Sequence, residues 1–361
     1  EIFAQGGQGG VYNITRLDGN LNSGLLVKIF DKGFPENLKV IVGTIRANMS
    51  QLRINQCNSL RALPLFIFET RIDGEAKAGY VMRRVGGRPF SEIINDAKAL
   101  NDYINLPLEK RLRMARLFVE GVNILYRLTI VHADLNAQNI LVDTTNAELW
   151  IIDLDGGAVA QHNGAPVMIG KPDIGWLAPE IWSAQQKNAI VEVNISADLW
   201  SMACGVHYLL FGLPPYFFLA DMPGRIDYLN KYKWPLLKGL TGIKTINMGV
   251  FDYYDRTYRT ATKLHDRFVH AFQKGHSNPD ERSTASNWLT GIDAQLKEIG
   301  APQLQIPTPP ITKNEVCQRR LGPDLSSLNM QIAPALNIKR VIAGISIGIV
   351  VLILFVVSET I

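Results

Sequence analysis

Two short apolar runs, Ile140-Leu-Val142 and Leu149-Trp-Ile-Ile152, flank the polar stretch Asp143-Thr-Thr-Asn146, a pattern that predicts a tight hairpin. No other feature constrains the fold as much, because Asn139 stands just before the first run and Asp153 just after the second. Closing the hairpin carries an amide oxygen and a carboxylate to one end of it. Asp155 follows two residues on, and His132 and Asp134 sit one loop earlier. Hard oxygen donors in that number suit magnesium, which takes one or two protein oxygens at about 2.0–2.1 Å and completes its shell from water and phosphate. Asp and Asn are also ordinary turn residues, so the assignment rests on what else the chain carries and in what order.

The segment His132-Ala-Asp134-Leu-Asn-Ala-Gln-Asn139, followed by Asp153-Leu-Asp155-Gly156, resembles the protein-kinase signature H-R-D-L-x-x-x-N followed by D-F-G. Upstream, Ala4-Gln-Gly6-Gly7-Gln-Gly9-Gly10-Val11 is similar to the kinase glycine loop G-x-G-x-x-G-x-V, with Ala4 at the first glycine. Leu25-Leu-Val-Lys28-Ile-Phe30 resembles V-A-I-K, and a lysine inside an apolar run has no cheap structural role unless its charge is partnered. Downstream, Ala178-Pro-Glu180 resembles A-P-E, the run from Ser196-Ala-Asp198 resembles the buried helix of the large lobe, and Arg282 matches the late arginine. Seven motifs thus fall in family order between about residue 1 and about residue 297. The D-x-D in place of D-F-G is closest to divergent bacterial eukaryotic-like kinases.

That resemblance implies an α+β, two-lobed protein-kinase-like fold, with a small β-rich N-lobe over about 1–86 and a mostly helical C-lobe over about 87–297. It implies ATP and Mg2+ as cofactors and transfer of the γ-phosphoryl group to a Ser/Thr hydroxyl of a protein substrate, autophosphorylation included. Gly6, Gly7, Gly9 and Val11 would close over the phosphates, Lys28 would pair the α and β phosphates, and Met82 would open the link that contacts adenine. Asp134 would accept the proton of the attacking hydroxyl, an effect worth roughly 10²–10⁴ in rate. Asn139, the third catalytic candidate beside Asp134 and Lys28, would hold magnesium with Asp153. Asp155 stands either as a second-metal contact or, with a longer hairpin, as the main ligand. Asp198 would brace the loop backbone, and Arg282 would pair with Glu180.

Departures from the pattern carry information too. Ala133 replaces the arginine that reads a loop phosphate in many kinases, and Leu154 to Glu180 contains no Ser, Thr or Tyr; together these predict activity without a phosphorylation switch in that loop. Asn136 stands where Ser/Thr kinases usually carry Lys, which leaves the acceptor residue open. Leu38 to Leu52 has no acidic residue, so either Glu36 partners Lys28 or that ion pair is absent. Ala4, Asn136 and the missing helix glutamate also fit an alternative, a nucleotide-binding pseudokinase or signalling adaptor.

The remaining sequence reads as an appendage. Ala301-Pro-Gln-Leu-Gln-Ile-Pro-Thr-Pro-Pro310 predicts a stiff extended linker over 298–340. Val341 to Ser358 carries no charge; as a helix it spans about 27 Å, close to the roughly 30 Å hydrocarbon core, and predicts one transmembrane helix over 341–358. Lys339 and Arg340 precede it and only Glu359 follows, so the positive-inside rule keeps the kinase-like domain cytosolic on a single-pass membrane protein, expected at a bacterial inner membrane. Gly344 and Gly348 form a G-x-x-x-G pair that fits a homodimer, and the family resemblance suggests a PP2C-like phosphatase partner. Three cysteines without paired spacing favour a reducing compartment, and a net charge of +4 on dispersed Lys and Arg argues against nucleic acid. The chain opens at Glu1 almost on the glycine loop, so it is expected to be a fragment or processed product.

Overall fold

A computed structural model describes residues 2–6, 9–17, 20–21, 24–31, 33–49, 57–72, 75–160, 176–187, 194–215, 257–302 and 330–332. The chain divides into two compact units, one of Glu1–Arg46, Ala62–Val85 and Leu304–Ile361, the other of Ala47–Arg61 and Gly86–Gln303.

The small unit is built on an antiparallel sheet in the order β1-β2-β4-β6-β5. Its strands are β1 (Ile2–Gly6), β2 (Gly9–Leu17), β3 (Asn20–Leu21), β4 (Leu25–Phe30), β5 (Pro64–Ile72) and β6 (Glu75–Arg83). Alternation sends Val27 and Ile29 of β4 into a core with Ile14, Phe66, Phe68 and Val81, while Leu26, Lys28 and Phe30 take the opposite face. That second face is buried as well. Helix α1 (Glu36–Asn48) buries Leu38, Ile41, Val42 and Ile45, spaced as one helical stripe. A further short strand, Met330–Ile332, pairs with β2, setting Met330 against Leu17 and Ile332 against Ile14. It lies inside the stretch read as linker, so part of that stretch is sheet.

The large unit is mainly helical. It opens with β7 (Arg88–Pro89), α2 (Phe90–Ile94), α3 (Ala97–Ile104) and α4 (Leu108–Arg127), then β8 (Ile130–Val131). The predicted hairpin follows as β9 (Ile140–Asp143) and β10 (Glu148–Ile151). Val142 stands opposite Leu149, and β9 takes in Asp143, expected in the turn, because Asp143 both ends its strand and caps the turn, accepting from the backbone N–H groups of Thr145 (2.9 Å) and Asn146 (3.2 Å). Strand β11 (Ala158–Val159) pairs antiparallel with β8, and α5 (Pro179–Gln186), α6 (Ile195–Phe211), a series of short helical segments between Thr262 and Glu281, and α7 (Ala285–Glu298) follow.

The caps of α6 explain its length. The Asn194 side chain accepts from the Ala197 N–H at 3.0 Å, and the helix stops at Gly212, whose φ of 69° lies in the left-handed region, where a side chain adds strain. Between those caps almost every residue is buried. Trp176 stacks on Tyr208 of α6 at 5.2 Å, and Phe268 meets Trp288 of α7 edge-on at 4.9 Å.

Among the described residues no helix is long and apolar enough to cross a membrane. The segment 341–358, with Gly344 and Gly348, lies outside the described residues, as do Gly7, Gly175 and Cys317.

Candidate active site

In the small unit the candidate residues sit on four neighbouring strands, β1, β2, β4 and β6. β1 and β2 pair antiparallel with Gly6 opposite Gly9, so both described ends of the glycine-rich segment are strand. Across β2 and β4, Val11 stands directly opposite Lys28; across β4 and β6, Lys28 faces Tyr80 and Leu26 faces Met82. Gly9 has a packing reason of its own: a Cβ there would run into the carbonyl oxygen of Ile29. Lys28 is 6% exposed, with its Nζ 5.7 Å from the centre of the Phe30 ring, a cation–π distance. The open question about Glu36 has an answer. Its carboxylate, 83% exposed in the first turn of α1, pairs with Lys39 at 3.3 Å, so it does not serve Lys28.

In the large unit the loop between β8 and β9 is fixed from several sides. His132 is fully buried. Its Nδ1 accepts from the Asp134 backbone N–H at 3.3 Å, so Nε2 carries the hydrogen and donates to the Ile152 carbonyl at 3.0 Å. Burial holds this imidazole below its usual pKa, even though the Ile152 bond and the charges of Asp134 and Asp153 push the other way. Asn139 donates from Nδ2 to the Asp134 carboxylate at 2.9 Å and to the Asp134 carbonyl at 2.8 Å. Its Oδ1 is therefore the atom available to a cation. Asn136 donates to the other Asp134 carboxylate oxygen at 2.7 Å. The Ile152 N–H donates to the Asn139 carbonyl at 3.0 Å, which ties the far end of the hairpin to the loop and sets Asp153 next to it in the chain.

Two residues here are strained. Ala133 (φ 63°) and Asp153 (φ 61°) both occupy the left-handed region without being glycine, at a cost on the order of 1–2 kcal/mol each. Ala133 is held there because its N–H donates to Asp198 at 3.1 Å, while the His132 N–H donates to the other Asp198 oxygen at 2.6 Å. Asp198, 2% exposed on α6, is thus the brace expected from the motif order. Burial pushes its carboxyl up to about 7, against the two amide bonds that pull it down. At Asp153 the Oδ1 accepts weakly from the Asp155 N–H at 3.4 Å. Asp155 itself is 8% exposed.

Asn139, Asp153 and Asp155 could thus offer two carboxylates and an amide oxygen to a cation. Among the described residues no three His, Cys, Asp or Glu side chains could together hold a metal ion. A site of this kind fits magnesium, which draws most of its shell from phosphate and water, better than a metal needing a full protein cage.

The second expected support also forms. Arg282 donates from both terminal nitrogens to Glu180, each at 2.7 Å, and further to the carbonyls of Ser196 (2.7 Å) and Gly275 (2.9 Å). Its guanidinium lies 5.3 Å from the Trp200 ring. A planar fork matched to a carboxylate is the strong form of ion pair. Ser201 of α6 donates to the Trp176 carbonyl at 2.8 Å, tying the start of α5's segment to the same helix. Reading the sequence assigned no role to His132 and treated Asn136 only as a departure; their signal was the spacing of polar atoms around Asp134.

Residues 78–247 match the family model described as the protein kinase domain. That span holds the whole His132–Asp155 loop, Glu180 and Asp198. Gly6, Gly9, Val11 and Lys28 fall before it. The chain is 26% identical over 256 residues to a probable serine/threonine-protein kinase of Dictyostelium discoideum, aligning 69% of this chain and 37% of that protein. It is 24% identical over 195 residues to a calcium/calmodulin-dependent serine/threonine-protein kinase of Malus domestica (52% and 40%). It is 28% identical over 148 residues to an inactive serine/threonine-protein kinase/endoribonuclease IRE1-like protein of Arabidopsis thaliana (39% and 26%). The chain therefore spans two fifths or less of the length of these relatives. They support the protein kinase superfamily; all are eukaryotic, so they lend nothing to the bacterial affinity read from the D-x-D segment.

Proposed function

We propose that this chain is a protein kinase that moves the γ-phosphoryl group of ATP to a Ser/Thr hydroxyl of a protein. The observation that carries the reading is the Asp134 carboxylate, held by two amide side chains on a loop whose backbone Asp198 braces from a buried helix. A carboxylate fixed in that way can orient a hydroxyl and take its proton. Magnesium, when bound by Asn139 Oδ1 and Asp153 with Asp155 beside them, would supply charge neutralisation for the phosphates. Lys28 would add a fixed positive charge for the nucleotide, and the β1–β2 hairpin would offer backbone N–H groups.

The absence of Ser, Thr and Tyr from 154–180 supports a transfer activity that needs no phosphate on that segment; phosphatase treatment of the purified protein is expected to leave it unchanged. The charge-free stretch 341–358 behind Lys339 and Arg340 supports a single-pass anchor with the kinase domain in the cytosol, and a reporter fused after Ile361 that proved cytosolic would overturn that orientation. Gly344 and Gly348 would then bring two such anchors together.

One observation favours a second reading, a nucleotide-binding pseudokinase: the Glu36 carboxylate pairs with Lys39 on the surface, and one relative is itself named inactive. Radiolabelled γ-phosphate ATP separates the two. Wild type that labels itself or a general acceptor protein, with Asp134→Ala silent, supports the kinase. Wild type that binds Mg-ATP and labels nothing supports the pseudokinase.

A further inference from the structure

We infer that Asn136 is a positioning residue for Asp134, an inference that rests on the kinase reading above. Its side-chain amide is engaged at both ends. The oxygen accepts from the backbone N–H groups of Gln138 (2.8 Å) and Asn139 (3.3 Å). The nitrogen donates to the Asp134 carboxylate (2.7 Å) and to the Asp134 carbonyl (3.2 Å). These partners fix which way the amide faces. Turned over, its NH2 would confront two N–H donors, and its oxygen would confront a carboxylate and a carbonyl.

Because Asn139 takes the second carboxylate oxygen at 2.9 Å, each Asp134 oxygen has its own N–H donor. The carboxylate plane cannot rotate without breaking one of the two bonds, so the lone pair that must meet a hydroxyl proton keeps one direction. Proton transfer depends steeply on that alignment. The same contacts have an electrical consequence. Both N–H groups of Asn136 are directed at Asp134, so the position offers neither charge nor donor to a phosphate, where the family pattern implies a lysine. Position 136 therefore serves the acceptor side of the reaction and leaves phosphate charge to other groups.

The competing account is an ordinary turn residue, since an Asn oxygen that caps the N–H groups two and three residues on is a common local motif. Two substitutions separate the accounts. Asn136→Asp keeps the capping oxygen and replaces the donor by a carboxylate oxygen facing Asp134. Asn136→Ala removes both ends. A turn residue lets Asp stand in for Asn. A positioning residue predicts that both variants lose kcat, on the order of 10- to 100-fold, while KM for ATP stays within about two-fold of wild type. Asn136→Asp with wild-type kcat overturns the inference.

Should wild type transfer no phosphate, the kinase reading falls while the clamp is still tested by the side-chain amide NMR signals of Asn136 and Asn139. Signals that both move in Asp134→Ala uphold the clamp. An Asn136 signal that stays in place overturns it.

Discussion

The loop from His132 to Asp155 and the strand bearing Lys28 hold their charges in opposite ways. In the loop, the Asp134 carboxylate and the surrounding backbone meet partners within a few residues of chain, and Asp198 adds a long-range brace. On the strand, Lys28 is buried between Val11 and Tyr80 of the neighbouring strands, while the nearest acidic residue of the following helix bonds Lys39 at the surface. Short-range bonds fix geometry before any ligand arrives. A buried lysine on a strand is placed by the sheet that pairs it on both sides.

The contrast is broken most directly at Asp134. Asp134→Ala is expected to lower kcat by roughly 10²–10⁴ with a wild-type melting curve; transfer at the wild-type rate would show that the loop does not hold the base. Next in size is Arg282→Ala, which leaves the Glu180 carboxylate and the Ser196 carbonyl without their shared donor. It should cost about 3 kcal/mol in urea unfolding, with Arg282→Lys recovering less than half because an ammonium cannot make the fork. A loss below about 1 kcal/mol would reduce this pair to an ordinary surface bridge.

Asp198→Asn sharpens the comparison further. One of the two loop N–H groups would then face an NH2, at about 1–3 kcal/mol. Because burial raises the folded pKa from 3.8 to about 7, the folded chain binds this proton more tightly than the unfolded one. The stability contributed by that group is full below pH about 3.8 and lost as pH rises through about 7. Wild-type stability should accordingly fall more steeply across that window than the variant's, and equal slopes would show that Asp198 does not titrate there. The smallest effect belongs to Glu36→Gln, expected to shift stability by no more than about 0.5 kcal/mol and to leave ATP affinity unaltered. A large loss of ATP binding would mean that Glu36 leaves Lys39 for Lys28 when nucleotide binds, and the two regions would no longer differ.

The hairpin was legible in the sequence because its signals are local: apolar runs on both sides of a polar turn. The end of its first strand moved by one residue because Asp143 serves strand and turn together. The Asp198 brace and the Glu180–Arg282 pair join residues 66 and 102 apart, a reach that spacing and composition cannot provide; motif order alone announced them. Asn136 stayed hidden for the opposite reason. Its partners are so near in sequence that an Asn there could cap several backbone groups, and only geometry selects among them. The fate of Glu36 was illegible because a first-turn carboxylate has a lysine three residues on, and the exposed pair avoids desolvation. Nothing in the Pro-containing stretch announced that Met330–Ile332 would lie against β2.

The His132 ring has a mechanical consequence. It touches the Asp134 N–H with one nitrogen and the Ile152 carbonyl, one residue before Asp153, with the other. An imidazole has no internal torsion, so the gap between the two polypeptide stretches is set by a spacer that cannot stretch, with fixed polarity at each end. A leucine or phenylalanine would fill the volume but leave the gap adjustable, and a displacement of either stretch would no longer be transmitted to the other.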